Sequence, residues 1–187
     1  MKNIKSYLIT DPNYFSDNKE IFKEKLIAVL KNHKIDFACF RDKSSQNIEE
    51  LAKIFLQICK EFKIENILIN SNISLAIKLG FDGVHLNSQQ FDKIENAKKS
   101  NLITIISCHN LEELEKAMNK NIDFVTYSPI FDTPNKGQSK GVDKLNEVIE
   151  KFPNLKIFAL GGIIQNEQIK EIEKTKAYGF ASIRYFI

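Results

Sequence analysis

The sequence predicts an α/β protein built as a (β/α)8 TIM barrel, shortened and lacking the final helix. Three observations carry that expectation. Strand-like and helix-like segments alternate from end to end, the strand-like runs number eight, and polar residues follow nearly every one of them. Alternation of this kind indicates a parallel sheet with right-handed crossovers. Either a closed barrel or an open doubly wound sheet would fit; the even count and the polar strand ends favour closure. At 187 residues the chain can bury one sizeable core, so residues 1–187 read as a single domain, although about 250 residues is usual for such a barrel.

The elements follow in order. Ser6 to Asp11 is an apolar run closed by Thr10 and Asp11, the first strand. From Asn18 to Asn32, Ile21, Phe22, Leu26, Ile27 and Leu30 recur at helical spacing. Ile35 to Phe40 is the second strand, followed by an amphipathic helix over Ile48 to Phe62 with Leu51, Ile54, Phe55 and Ile58 on one face. Asn66 to Asn70 is the third strand, and a short helix from Leu75 to Leu79 stops at Gly80. Gly83 to Leu86 is strand four, with a weak helix near Phe91 to Lys99. Leu102 to Ser107 and Asp123 to Tyr127 are strands five and six, with helices over Leu111 to Met118 and Val142 to Phe152. Leu155 to Leu160 is strand seven, ended by Gly161-Gly162, and a helix spans Gln165 to Lys174. Tyr178 to Ile183 is strand eight, after which the chain stops. Strand eight then carries an apolar flank that a last helix would cover; a partner subunit in a homo-oligomer, or the first helix, is expected to cover it instead.

Composition excludes several classes. A net charge of +3 is too mild for a nucleic-acid footprint, and the lysines lie on helical stretches where solvated faces are expected. Cys39, Cys59 and Cys108 form no Cys-x-x-Cys pair, so neither a disulfide framework nor a zinc motif is visible. No apolar run approaches the length of a membrane span, and Met1-Lys2-Asn3 is no signal peptide. The expectation is a cytoplasmic protein with no membrane or nucleic-acid partner.

In a barrel the strand ends converge on one mouth, where ligands bind. The candidates there are Thr10, Asp11, Cys39, Arg41, Asp42, Lys43, Asn70, Ser71, His85, Asn87, Ser107, Cys108, His109, Ser128, Thr133, Asn135, Lys136, Gly161 and Gly162. Arg41, Lys43 and Lys136 would set three cations around one cavity, and cations beside Gly-Gly amides suit a phosphorylated ligand. At an effective dielectric of about 20 each close charge pair is worth roughly 4 kcal/mol. The bland alternative pairs Arg41 and Lys43 with Asp42 or a helix end. His85, inside a strand, reads as a core histidine with a satisfied hydrogen bond. His109, just past a strand, suits acid–base work or a helix N-terminus. Cys39 and Cys108 read as packing residues before they read as nucleophiles. No spacing argues for a protein-built metal site.

Several of these stretches together resemble the thiamine-phosphate synthase family, which includes the TenI-type thiazole tautomerases. Tyr7-Leu8-Ile9-Thr10-Asp11 is similar to its first strand, and Arg41-Asp42-Lys43 to its Arg-Glu-Lys signature. Gly83-Val84-His85-Leu86 matches its fourth strand and Ser107-Cys108-His109 its Ser-x-His. Ser128-Pro129-Ile130-Phe131 with Thr133 and Lys136 resembles its Gly-Pro-Ile-Phe-x-Thr-x-x-Lys loop, and Leu160-Gly161-Gly162-Ile163 its seventh-strand turn. The resemblance implies an enzyme of thiamine biosynthesis, a transferase joining hydroxymethylpyrimidine diphosphate to thiazole phosphate with release of diphosphate. It implies Arg41, Lys43, Asn70 and Lys136 around the diphosphate, with Arg41, Lys43, Lys136 and His109 in the catalytic set. It implies Thr133, Gly161 and Gly162 at the thiazole phosphate, with Ser107, Asn135 and Arg184 among the substrate contacts.

The departures are informative. The resemblance implies magnesium held by an Asp after the third-strand Asn and another after the fourth strand. This chain has Ser71 at the first position and Asn87-Ser88-Gln89-Gln90 around the second, with Asp92 out of register. Mg2+ remains a possible cofactor whose family ligands are missing. Cys39 replaces a glutamine, Asn135 a threonine and Arg184 a strand-eight serine. Two other readings stay open: a metal-free TenI-type tautomerase, whose usual histidine is Pro129 here, and a non-catalytic barrel that binds a phosphorylated heterocycle.

Overall fold

The computed structural model describes residues 4–134 and 137–187. Eight parallel strands close into a barrel in sequence order, β1 to β8, with β8 pairing back onto β1 through Lys5↔Gly179 to Leu8↔Ser182. The strands are β1 Lys5–Ile9, β2 Phe37–Phe40, β3 Asn66–Asn70, β4 Gly83–Leu86, β5 Ile103–Cys108, β6 Phe124–Tyr127, β7 Ile157–Leu160 and β8 Gly179–Ser182. The helices are α1 Pro12–Phe15, α2 Lys19–Asn32, α3 Ile48–Glu61, α4 Ile73–Leu79, α5 Ile94–Lys99, α6 Leu111–Asn119, α7 Gly141–Lys151 and α8 Asn166–Glu173, with 3-10 turns at Phe91–Lys93 and Arg184–Phe186. The open doubly wound alternative is therefore excluded. Among the described residues, no helix is long and apolar enough to cross a membrane.

Local chemistry explains the boundaries. Asn18 accepts the Glu20 and Ile21 N–H groups at the start of α2, Asn72 that of Leu75 at α4, and Asn110 that of Glu113 at α6. Gly80 ends α4 in the left-handed region at φ 76°, where a glycine meets no steric penalty. One helix was not expected from the periodicity. Asp11 accepts the Asn13 N–H and Pro12 sits at the first position, which together make the single turn α1 that buries Phe15.

The strand starts share a device on alternate strands. Asp36, Asp82 and Asp123, each just before a strand, accept the N–H of the second residue of the preceding strand, Ser6, Ile67 and Thr104. For the first two the exchange is mutual, because the Asp36 and Asp82 N–H groups donate to the Ser6 and Ile67 carbonyls. Asp36 stays ionised below the usual carboxylate range: burial opposes this, but hydrogen bonds from Lys5 and Ser6 outweigh it.

Two apolar shells follow from the period of two along each strand. The inner shell fills the barrel with Tyr7, Ile9, Phe37, Cys39, Leu68, Ile105, Phe124, Phe158 and Ala181, and the outer shell packs strands against helices. Phe37 lies edge-on to Phe124 and Phe158, both with ring centroids at 5.2 Å, so the barrel is plugged by aromatic side chains. The flank of β8 is covered from within the chain. Phe186 in the terminal 3-10 turn stacks on Phe180 with centroids 5.8 Å apart, and His33, at the end of α2, meets Phe186 edge-on at 5.4 Å. His33, the residue just past α2, thus shares this cover with the terminal turn.

Candidate active site

The alternation that points Tyr7, Cys39 and Leu68 inward also fixes which polar groups reach the mouth. The inward positions at or just past the strand ends are Arg41, Asn70, Asn87, Ser107 and Ser128, with His85 and Thr126 one step deeper. Phe40 pairs with Ile69 in the β2–β3 register, which sets Arg41 beside Asn70.

At this β2–β4 side, Arg41 pairs with Asp11, the N-cap of α1, which is the helix-end arm of the bland alternative and not the Asp42 arm. Asp42 is instead occupied by the Ser44 and Ser45 N–H groups at 2.9 and 3.0 Å. Lys43 is exposed on the segment that follows. Asn70 Nδ2 donates to the His85 carbonyl at 3.0 Å, and Ser71 Oγ donates to Asn70 Oδ1 at 3.4 Å. Asn87 Nδ2 donates to Ser71 Oγ at 3.4 Å, and Gln90 Nε2 to the Ser71 carbonyl at 3.3 Å. Gln90 Oε1 in turn accepts the Asn87 N–H at 3.1 Å. This neutral amide–hydroxyl lattice occupies the ends of β3 and β4. Among the described residues, no cluster of three or more His, Cys, Asp or Glu side chains is placed to hold a metal ion.

His85 is only 3% exposed, with Tyr7 Oη 2.9 Å from Nδ1 and Ser107 Oγ 3.1 Å from Nε2. Burial, and secondarily the charge of Arg41, push its pKa down to about 3, so it is a neutral core histidine. Cys39 is buried beneath it, and burial pushes its thiol up to about 12. Cys108 points outward into the strand–helix shell, away from the mouth, and burial raises its pKa as well. Neither is an activated nucleophile.

The β6–β7 side is built differently. Ile130 N–H donates to the Leu160 carbonyl at 2.9 Å and Phe131 N–H to that of Gly161 at 3.0 Å, so the β6 loop runs directly over the Gly161-Gly162 turn. Gly162 has φ 70°, and a Cβ there would lie 2.5 Å from the Asp132 carbonyl oxygen. A Cβ on Gly161 would lie 2.8 Å from Pro129 Cα and 3.3 Å from Thr133 Oγ1. Only glycine permits this approach. Thr133, Gly161 and Gly162 are thus brought together. Asn135 and Lys136 lie outside the described residues. His109 Nδ1 sits 3.1 Å from Ser128 Oγ, which joins the end of β5 to the β6 loop. Arg184 is half-buried in the turn after β8, while Ser182 Oγ donates to the Ile163 carbonyl at 2.8 Å and so ties β8 to the Gly-Gly turn. Sequence reasoning missed Tyr7, Thr126 and Ser182. Their signal was the period of two: Thr126 and Ser182 lie two residues before the named Ser128 and Arg184, and Tyr7 lies two such steps before Asp11.

Comparisons with known proteins agree with this layout. A family model described as "Thiamine monophosphate synthase" matches residues 6–186. "Putative thiamine-phosphate synthase 2" of Aquifex aeolicus (strain VF5) is 36% identical over 186 residues, covering 97% of this chain and 96% of that protein. "Thiamine-phosphate synthase" of Pelagibacter ubique (strain HTCC1062) is 34% identical over 162 residues, covering 84% and 76%. The solved "Thiamine phosphate pyrophosphorylase from Pyrococcus furiosus" superposes with a TM-score of 0.82 at 26% identity, covering 96% of this chain and 85% of that one. Near-complete coverage by a family model, by relatives and by a solved barrel leads to one conclusion: the chain belongs to the thiamine monophosphate synthase family.

Proposed function

We propose that the protein is a thiamine-phosphate synthase that joins hydroxymethylpyrimidine diphosphate to thiazole phosphate at this mouth, with an altered metal position. The observation that supports this most is the pairing, in one barrel mouth, of an arginine-bearing rim at β2–β3 with a glycine-built recess at β6–β7. In the reaction, the carbon–oxygen bond to the diphosphate breaks and its electron pair leaves with the diphosphate oxygen. The thiazole nitrogen then closes a carbon–nitrogen bond to the pyrimidine methylene, and no net proton is required. The main demand is stabilisation of the leaving charge. Arg41, Lys43 and Lys136 are assigned to that charge, and Asn70 to holding the diphosphate. Thr133, Gly161 and Gly162, with Asn135 and Arg184, are assigned to the thiazole phosphate. His109, held by Ser128, is assigned the hydrogen bond to the departing oxygen.

Magnesium does not fit the donors found where the family would hold it. Asn70, Ser71, Asn87 and Gln90 are neutral and are engaged with one another. A small, hard cation requires carboxylates or substrate oxygens to displace its water, so no step is routed through a metal here. Incubation of purified protein with both substrates, with Mg2+ or with chelator, tests the reading. Thiamine phosphate should form in both conditions, with a smaller metal effect than a carboxylate-bearing site would give. Failure to form product in either condition sinks it.

A further inference from the structure

The polar chain beneath the mouth has a direction. Tyr7 reaches across the barrel from β1 to β4, its Oη 2.9 Å from His85 Nδ1. On the far side of the ring, His85 Nε2 lies 3.1 Å from Ser107 Oγ, and Thr126 Oγ1 lies 3.4 Å from that same oxygen. The imidazole is neutral, so it carries one N–H and has two tautomers to choose between. Burial holds the Tyr7 phenol well above its ordinary pKa, so it keeps its proton and must direct it at an acceptor. Its polar neighbours are His85 Nδ1 and the Cys39 thiol, and an imidazole nitrogen is much the stronger acceptor. Nδ1 therefore accepts from Tyr7, which leaves the hydrogen on Nε2, facing Ser107.

Ser107 Oγ then accepts from His85 Nε2–H and from Thr126 Oγ1–H. A hydroxyl oxygen has two lone pairs and one hydrogen, so both acceptor positions are filled and its own hydrogen points away from the cluster. Ser107 is the only half-exposed residue among these four, which turns that hydrogen toward the open mouth. We propose that His85, locked as the Nε2–H tautomer by Tyr7, is a positioning residue that makes Ser107 a hydrogen-bond donor to an anionic oxygen of the diphosphate substrate. This rests on the synthase reading of the mouth. It assigns work to a histidine that burial would otherwise mark as mere filling.

The test needs no turnover. Long-range proton–nitrogen correlation spectra of the wild-type protein report the His85 tautomer directly. A protonated Nε2 with a bare Nδ1 is expected, and a protonated Nδ1 overturns the proposal. Titration calorimetry with inorganic diphosphate reads the consequence. Ser107→Ala and His85→Leu should each weaken binding about tenfold, the double variant no further, and His85→Gln, which retains a donor, should recover part of the loss. Losses that multiply in the double variant would overturn the proposal, since Ser107 and His85 would then act separately. Tyr7→Phe keeps the ring and should mix the tautomers, and an unchanged spectrum would count equally against it. If wild-type protein binds no diphosphate at all, the synthase reading falls with the substrate half of the proposal, while the spectrum still decides the tautomer.

Discussion

Asp11 divides its carboxylate between two tasks. One oxygen caps α1 through the Asn13 N–H and the other holds Arg41 at the rim. The second task subtracts a positive charge from the place where the anion is to sit. Asp11→Asn keeps the cap, because asparagine is an equally good N-cap, but releases that charge. Both groups are partly solvated, so the gain falls well below the roughly 4 kcal/mol of a close pair, and about a fivefold tighter Kd for inorganic diphosphate at low salt is expected. Calorimetry would show it, and weaker binding would mean that Asp11 is needed to orient Arg41. His85 makes a second prediction at this scale. Its pKa is about 3 when folded against about 6.5 when unfolded. The unfolded chain therefore takes up a proton first, and stability present above pH 6.5 is lost as pH falls toward 3. By linkage the loss at pH 5 is about 2 kcal/mol. The melting temperature should fall more between pH 7 and pH 5 in wild type than in His85→Gln. The sequence made His85 legible as a core histidine because it sits inside a strand. It could not show Asp11 as the partner of Arg41, since these residues leave different strands and meet only once β1 and β2 pair.

At the scale of elements, the strands and most helices were readable because each carries an uninterrupted apolar period. The one-turn helix α1 was not, since four residues cannot display a 3.6-residue repeat; only Asp11-Pro12 hinted at it. The alternating aspartates at the strand starts were hidden for another reason, because each acts on the strand before its own. The Gly161-Gly162 turn was legible as a turn, but its purpose was not. Its purpose is the close passage of the β6 loop, which a side chain would block. Gly162→Ala should push that loop outward or strain the turn by about 2 kcal/mol or more. The affinity for thiazole phosphate should fall at least tenfold by calorimetry. Unaltered affinity would remove the turn from the proposed phosphate site.

For the whole molecule, the terminal turn stands where a covering helix was missed in the sequence. Phe186 is buried between Phe180 and His33, while Ile187 beyond it is exposed. Phe186→Ala should cost about 3 kcal/mol by denaturant unfolding, with diphosphate affinity unchanged because its ring packs on His33, Phe180 and Tyr185. A loss below about 1 kcal/mol would mean that the turn is only loosely docked. The sequence showed that β8 needed a cover but not that the Arg184–Phe186 turn would help provide it, because three residues of 3-10 turn leave no periodic mark.

Joining β8 to β1 also sets an order of events. As the chain emerges from the ribosome, β1 is the first strand to appear, yet one of its two neighbours is the eighth. Until that strand arrives the growing sheet carries two unzipped margins, each able to recruit a stray strand from another molecule. Only the arrival of Gly179–Ser182 seals the ring, so the vulnerable period spans the making of all seven strands before it.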